Sequence, residues 1–164
     1  MLLLASSVYA STDSVTVRPA IIGADIGYGS RTNGESGLEL FALYRTPLGG
    51  IDFEGSIFQR FFGAGDSVEF SVGRFGFGFG FGFYLPDMFT FGAEGSASIE
   101  PKLGVNVTVW TSTVGIGIPV GAEVHIPIVT SLDASLGVTI EPQINLNAVK
   151  NTTIVDLRVG LRYH

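Results

Sequence analysis

From Phe75 to Phe83 the chain alternates phenylalanine and glycine without exception, reading FGFGFGFGF. Successive side chains of an extended strand point to opposite faces. The rings of Phe75, Phe77, Phe79, Phe81 and Phe83 therefore share one face, and the other face carries only hydrogen. Such a strand fits a wall with an apolar medium on one side and a narrow enclosed space on the other. Whether the rest of the chain builds that wall decides the fold.

At 164 residues the chain forms one domain, long enough for a single barrel or sandwich. Only 15% of its residues are charged and 23 are glycine, where a soluble domain carries about 25% charged residues. No run approaches the ~18 consecutive apolar residues of a helical span, so membrane helices are excluded and the apolar residues are spread by alternation. The absence of cysteine removes disulfides and thiolate metal sites. Nine Lys and Arg against fifteen acids give a net charge of -6, without the clustered positive charge that nucleic acid or an anionic membrane surface requires.

Met1 to Ala10 (MLLLASSVYA) is a short apolar stretch closing on Val8-Tyr9-Ala10, which offers signal peptidase small residues at the last and third-last positions. Residues 1–10 read as the remnant of a secretory signal peptide, and 11–164 as one exported domain.

Period-2 alternation covers most of the remaining chain and assigns faces by parity. A first strand, Arg18 to Gly29, sets Ile22, Ala24, Ile26 and Tyr28 against Gly23, Asp25 and Gly27. In a second, Gly37 to Thr46, Leu38, Leu40, Ala42 and Tyr44 face outward while Glu39 and Arg45 face inward. After a turn over Pro47 to Gly50, Ile51, Phe53, Gly55 and Ile57 alternate with Asp52, Glu54, Ser56, Phe58 and Arg60. Val68, Phe70 and Val72 lead into the Phe-Gly run, with a β-bulge expected at Gly73-Arg74 to restore the phase.

A fifth strand is expected to run unbroken from Phe89 to Val109, because one parity persists through Pro101. Ile99-Glu100-Pro101-Lys102 returns as Ile140-Glu141-Pro142-Gln143, and in the second copy Leu136, Val138, Ile140, Ile144 and Leu146 also hold one face across the proline. Both copies are taken as continuous strands, although an internal proline costs a ladder hydrogen bond. A sixth strand spans Val114 to Ile126, and an eighth, Thr153 to His164, sets Val155, Leu157, Val159, Leu161 and Tyr163 against Asp156, Arg158, Gly160 and Arg162. Eight strands bring both chain ends to one side. The expected fold is all-β, a closed antiparallel up-and-down transmembrane β-barrel.

Over residues 15 to 164 the chain resembles the small eight-stranded outer-membrane β-barrels of Gram-negative bacteria, the OmpA- and OmpX-like group. The most specific part is its end, Val155 to His164, where Val159, Leu161 and Tyr163 look like the C-terminal assembly signal of such proteins. The resemblance implies residence in the bacterial outer membrane and recognition by the barrel-assembly machinery. Physical reasoning agrees, since only a closed barrel satisfies every backbone group in lipid using strands. Tyr28, Tyr44, Tyr84 and Tyr163 lie at or near strand ends, where an interfacial aromatic girdle is expected.

With lipid outside, the lumen is expected to be lined by Asp25, Glu39, Arg45, Asp52, Glu54, Arg60, Glu69, Glu94, Glu100, Glu123, His125, Asp133, Glu141, Asp156, Arg158 and Arg162. Buried charges persist only when paired or hydrated, and Arg45 is expected opposite Asp52 across the Pro47 turn. Eight strands enclose a space that side chains fill, which favours a monomeric scaffold plugged by a Glu/Arg network. The excess of acids and the bare glycines leave a second reading, a narrow cation-preferring pore. A third, a soluble lipocalin-like carrier, reverses the two faces. The histidines, His125 and His164, have no nucleophile at a catalytic spacing and too few companions for a metal site, so neither an enzyme nor a cofactor is expected. Ser30 to Ser36 and Phe62 to Ser67 are the expected contact loops.

Overall fold

The computed structural model describes residues 19–64, 75–86, 88–92, 97–111, 113–146 and 151–164. Residues 1–10, Glu69, Glu94 and the bulge expected at Gly73-Arg74 lie outside these. The chain is laid out as β1 (Ile21–Arg31), β2 (Glu35–Leu48), β3 (Ile51–Ala64), β4 (Phe75–Tyr84), β5 (Phe89–Phe91), β6 (Ala97–Trp110), β7 (Val114–Gly117), β8 (Val120–Val129), β9 (Leu132–Leu146) and β10 (Thr152–Tyr163). All pairings are antiparallel, and β10 pairs with both β9 and β1, so the sheet closes on itself.

Ten segments occupy eight places in the wall. β5 continues β4 after a bulge: Tyr84 faces Lys102 and Phe89 faces Ile99, so five steps on one strand answer three on its partner. β7 and β8 are likewise one strand in unbroken register, with Gly117 facing Asn106 and Gln143, and Val120 facing Leu103 and Ile140. The ladder lapses between them because Pro119 has no N–H to donate. Its carbonyl still accepts from the Gly104 N–H at 2.9 Å, and the Ile118 N–H donates to the Pro142 carbonyl at 3.0 Å.

The long strands through Pro101 and Pro142 are continuous, but the expected strand from Phe89 to Val109 is not. Phe89–Phe91 folds back on Ala97–Ile99 as a hairpin, which leaves β5 through Gly92 at a φ of 86°. Five residues separate β5 from β6, an odd number that preserves parity across the hairpin, so alternation alone registers no break there.

Following paired residues around the wall from Ile22 through Tyr44, Gly55, Phe81, Val105, Ile118, Pro142 and Thr153 returns to Thr32, ten residues beyond the start. For eight strands this stagger tilts each strand by roughly 40° to the barrel axis. The turns at Leu48–Ile51 and Val129–Leu132 share the end where β1 begins and β10 finishes; the β1–β2 turn and Trp110 mark the other, loop end.

Burial is inverted relative to a soluble protein. Arg45, Arg60 and Arg162 are each at most 1% exposed, whereas Phe77, Phe79 and Phe81 are 45–51% exposed. The outward stripe continues around the wall through Ile22, Ile26, Leu40, Ile57, Val105, Leu136, Ile140, Leu157 and Leu161.

Candidate functional site: the barrel interior

Alternation brings charged side chains from six or more strands into one enclosed volume, where loss of bulk water favours their pairing. They sort into two clusters. In the loop-end half, Arg60 of β3 places Nε 2.9 Å from Glu39 Oε1 of β2 and Nη2 2.6 Å from Glu141 Oε2 of β9. Its Nη1 also donates to Glu141 Oε1 at 3.0 Å and to Thr108 Oγ1 at 3.2 Å. The Asn106 amide donates to Glu141 at 2.6 Å. One guanidinium thus ties β3 to three other strands, with a forked geometry suited to carboxylates.

The chain-end half is organised by Arg45 and Arg162. Arg45 reaches Glu100 at 2.7 Å, Glu123 at 3.1 Å and Glu54 at 3.3 Å, with its guanidinium 3.6 Å above the Tyr84 ring. Arg162 bridges Asp25 and Glu123. Lys102 donates to Glu54 at 3.0 Å, and His125 Nε2 stands 3.3 Å from both Glu100 and Glu123. Between the clusters, Arg158 pairs with Asp156 at 2.6 Å and lies 3.8 Å over the Phe41 ring.

Arg31 lies at the loop end. Its guanidinium sits 3.8 Å from the Trp110 ring centroid and 4.9 Å from that of Phe62, and Glu35 holds it at 2.8 Å. Phe62, Trp110 and Ile154 form an apolar cluster beneath it.

The glycine face of the Phe-Gly run is occupied rather than empty. A Cβ added at Gly76 would stand 2.6 Å from the Trp110 ring, at Gly78 2.4 Å from the Phe58 ring, and at Gly80 2.1 Å from Asn106 Oδ1. Among the described residues, one interior void bounded by Asp25, Lys102, Glu123, Thr139, Arg158 and Arg162 measures about 10 Å³, at the lower limit for a single water.

Asp25, Glu39, Arg45, Asp52, Glu54, Arg60, Glu100, Glu123, His125, Glu141, Asp156, Arg158 and Arg162 are all buried. Asp133 lies at the chain-end rim, 2.7 Å from the His164 ring. Two expectations of placement are corrected. Arg45 faces Glu54, and Asp52 faces Pro47, because Leu48 and Ile51 are themselves paired and the turn is only Gly49-Gly50. Tyr84 belongs to no girdle: it is 1% exposed and packs under Arg45 and Lys102, since its even number places it on the glycine face. Tyr28, Tyr44 and Tyr163 do face outward.

The expected contact loop from Phe62 also shifts, because Phe62 is a strand residue buried at 2%. Sequence reasoning did not include Lys102, Arg31, Phe41 or Trp110 in the interior. The signal for Lys102, Phe41 and Trp110 was their shared parity with Glu100, Glu39 and Thr108. Among the described residues no group of three or more His, Cys, Asp or Glu is placed to hold a metal ion.

No protein-family model and no curated protein matches the sequence. Among solved structures, Neisserial surface protein A (NspA) aligns over 88% of this chain and 96% of its own, with a TM-score of 0.67 at 14% identity. A de novo designed transmembrane β-barrel and the N-terminal β-barrel domain of Pseudomonas aeruginosa OprF each give a TM-score of 0.47 at 11% identity. They cover 89% and 87% of this chain, and 96% and 97% of their own. The fold likeness rests on the first, and it identifies the closed eight-stranded antiparallel barrel.

Proposed function

We propose that this chain is an integral β-barrel of the bacterial outer membrane whose role is structural or surface-interacting, with a plugged interior and no catalytic site. The observation that carries the reading is the inversion of burial. Guanidinium groups are sealed inside while a belt of Phe, Leu, Ile and Val faces out all around the wall. In water that belt would be a severe aggregation hazard; in hydrocarbon it is the expected surface, and the ladder closes from β10 back onto β1.

The partners of this reading are outer-membrane lipid, around Phe75, Phe77, Phe79, Phe81 and Phe83, and the barrel-assembly machinery, through Val159, Leu161 and Tyr163. The protein acts as a monomer. Against the pore reading stand the Arg45 and Arg60 networks and the Arg31–Trp110 contact. Against the soluble carrier stands the outward direction of the Phe-Gly rings.

Fractionation with heat-modifiable gel migration tests the reading. The unboiled protein, recovered from the outer-membrane fraction, should migrate differently from the boiled protein. A freely soluble native protein would overturn it.

A further inference from the structure

At the chain end one strand has an open edge. Among the described residues β5 pairs with β6 alone, and β3, the neighbour of β4 on its other side, has its last partner there where Asp52 faces Tyr84. No described strand lies level with Phe89–Phe91 on that side. The Leu85 N–H donates to the Pro101 carbonyl at 3.0 Å and the Gly104 N–H to the Pro119 carbonyl at 2.9 Å, so odd residues of β6 turn their backbone groups toward β4 and β5 and even ones toward β8. Ile99 and Ala97 accordingly bond to Phe89 and Phe91, while Thr90 between them aims its N–H and C=O away from the sheet.

Sheets blunt such edges with charge, proline or a covering segment. Met88-Phe89-Thr90-Phe91-Gly92 has neither charge nor proline, and all five residues are exposed. Counting along the register from Ile22 to Val105 and back down β6, Phe91 stands roughly 7 Å beyond Tyr163 along the barrel axis. The edge is therefore on the water side of the outward tyrosines, where hydrocarbon does not cover it. A second copy does not fit it either. Two copies spanning one membrane are related by a two-fold axis along the membrane normal, about which strands tilted by roughly 40° cross at roughly 80° instead of running antiparallel.

We propose that the outer edge of β5 is a strand-addition site for an extended segment of a partner protein on the chain-end side of the membrane. That segment places β-branched or aromatic residues opposite Phe89 and Phe91 and a hydroxyl residue opposite Thr90, where the two backbones exchange hydrogen bonds. The proposal uses the membrane reading above only to place the edge outside hydrocarbon.

The test is fluorescence anisotropy of a labelled peptide, Lys-Thr-Val-Thr-Val-Thr-Lys, titrated with the folded chain in phospholipid nanodiscs, with empty nanodiscs as the blank. Two changes attack the same backbone contact from opposite sides. N-methylation of the central threonine blocks the peptide, and Thr90→Pro deletes the outward N–H of the barrel while leaving the bonds of Phe89 and Phe91 to β6. Heat-modifiable migration reports whether Thr90→Pro folds, and the methylated peptide decides the question where it does not. Saturable binding of one peptide per barrel, weakened about tenfold or more by either change, is the expected result. Absence of binding, or equal binding by the methylated peptide or by a folded Thr90→Pro barrel, would overturn the site. A nitroxide at Phe91→Cys should be open to a water-soluble nickel chelate, and shielding from it would overturn the site by assigning the ring to lipid. The same label at Phe79→Cys reports the membrane-facing wall, so a failure of the membrane reading registers separately.

Discussion

The Phe58 ring occupies the space that a side chain at Gly78 would need: a Cβ there would lie 2.4 Å from its Cε2 and Cζ and 2.5 Å from the Val107 carbonyl oxygen. The two residues face each other across β3 and β4, so the bare glycine and the inward phenylalanine are two halves of one packing decision. Gly78→Val should cost about 1–3 kcal/mol as an overpacked site. Gly55→Val, on the outer face, should be neutral or slightly stabilising. The midpoint of the heat-modifiable shift on gels, measured for both variants, checks the contrast.

Arg60 holds two carboxylates in the loop-end half of the barrel. Arg60→Met strands Glu39 and Glu141 in a buried site and should destabilise by about 3–5 kcal/mol. Adding Glu39→Gln and Glu141→Gln removes the stranded charges and should recover much of that loss. Urea unfolding in phospholipid vesicles, followed by fluorescence of Trp110, the only tryptophan in the chain, measures both steps.

Depth in the membrane should be readable along one strand. Phe79, near the middle of the Phe-Gly run, should lose about 2–4 kcal/mol when replaced by Arg, whereas Phe75, at its loop-end limit, should lose only about 0–1 kcal/mol. Folding equilibria in vesicles compare the two. Equal penalties would place both residues at the same depth.

These residues also show what alternation can and cannot reveal. Parity assigned faces correctly to Phe77, Glu39, Arg60 and Arg162, because the side-chain period of a strand is two whatever its neighbours are. The hairpin after Phe91 stayed hidden, since an odd-numbered loop returns the chain to the same phase. Tyr84 was misread from its position near a strand end although its parity already placed it with Gly82 and Gly80. The partners of the buried charges were not legible either. Arg60 and Glu141 are 81 residues apart and meet across the barrel axis, a relation set by closure and stagger rather than by any local pattern. The Arg45 partner was displaced from Asp52 to Glu54 by the length of a two-residue turn.

Planar-bilayer recordings distinguish the plugged barrel from a pore. On the proposed plugged reading, in which Arg45 with its three carboxylates blocks the chain-end section and Arg31 stacks on Trp110 and Phe62 at the loop end, the reconstituted protein should show no stepwise conductance. Cation-selective steps would contradict the filled interior.

The central claim is that the Phe-Gly rings face hydrocarbon and the opposite face is filled. The chain has no cysteine, so single nitroxide labels can be placed without a background. Phe77→Cys, Phe79→Cys and Phe81→Cys report the outer face, and Ser135→Cys and Thr139→Cys, both beside the small void, report the interior. Electron paramagnetic resonance in vesicles should show the first three accessible to oxygen and shielded from a water-soluble nickel chelate, and the last two shielded from both. Nickel access at 135 and 139 would contradict the plug, and nickel access at 77, 79 and 81 would contradict the membrane-facing wall.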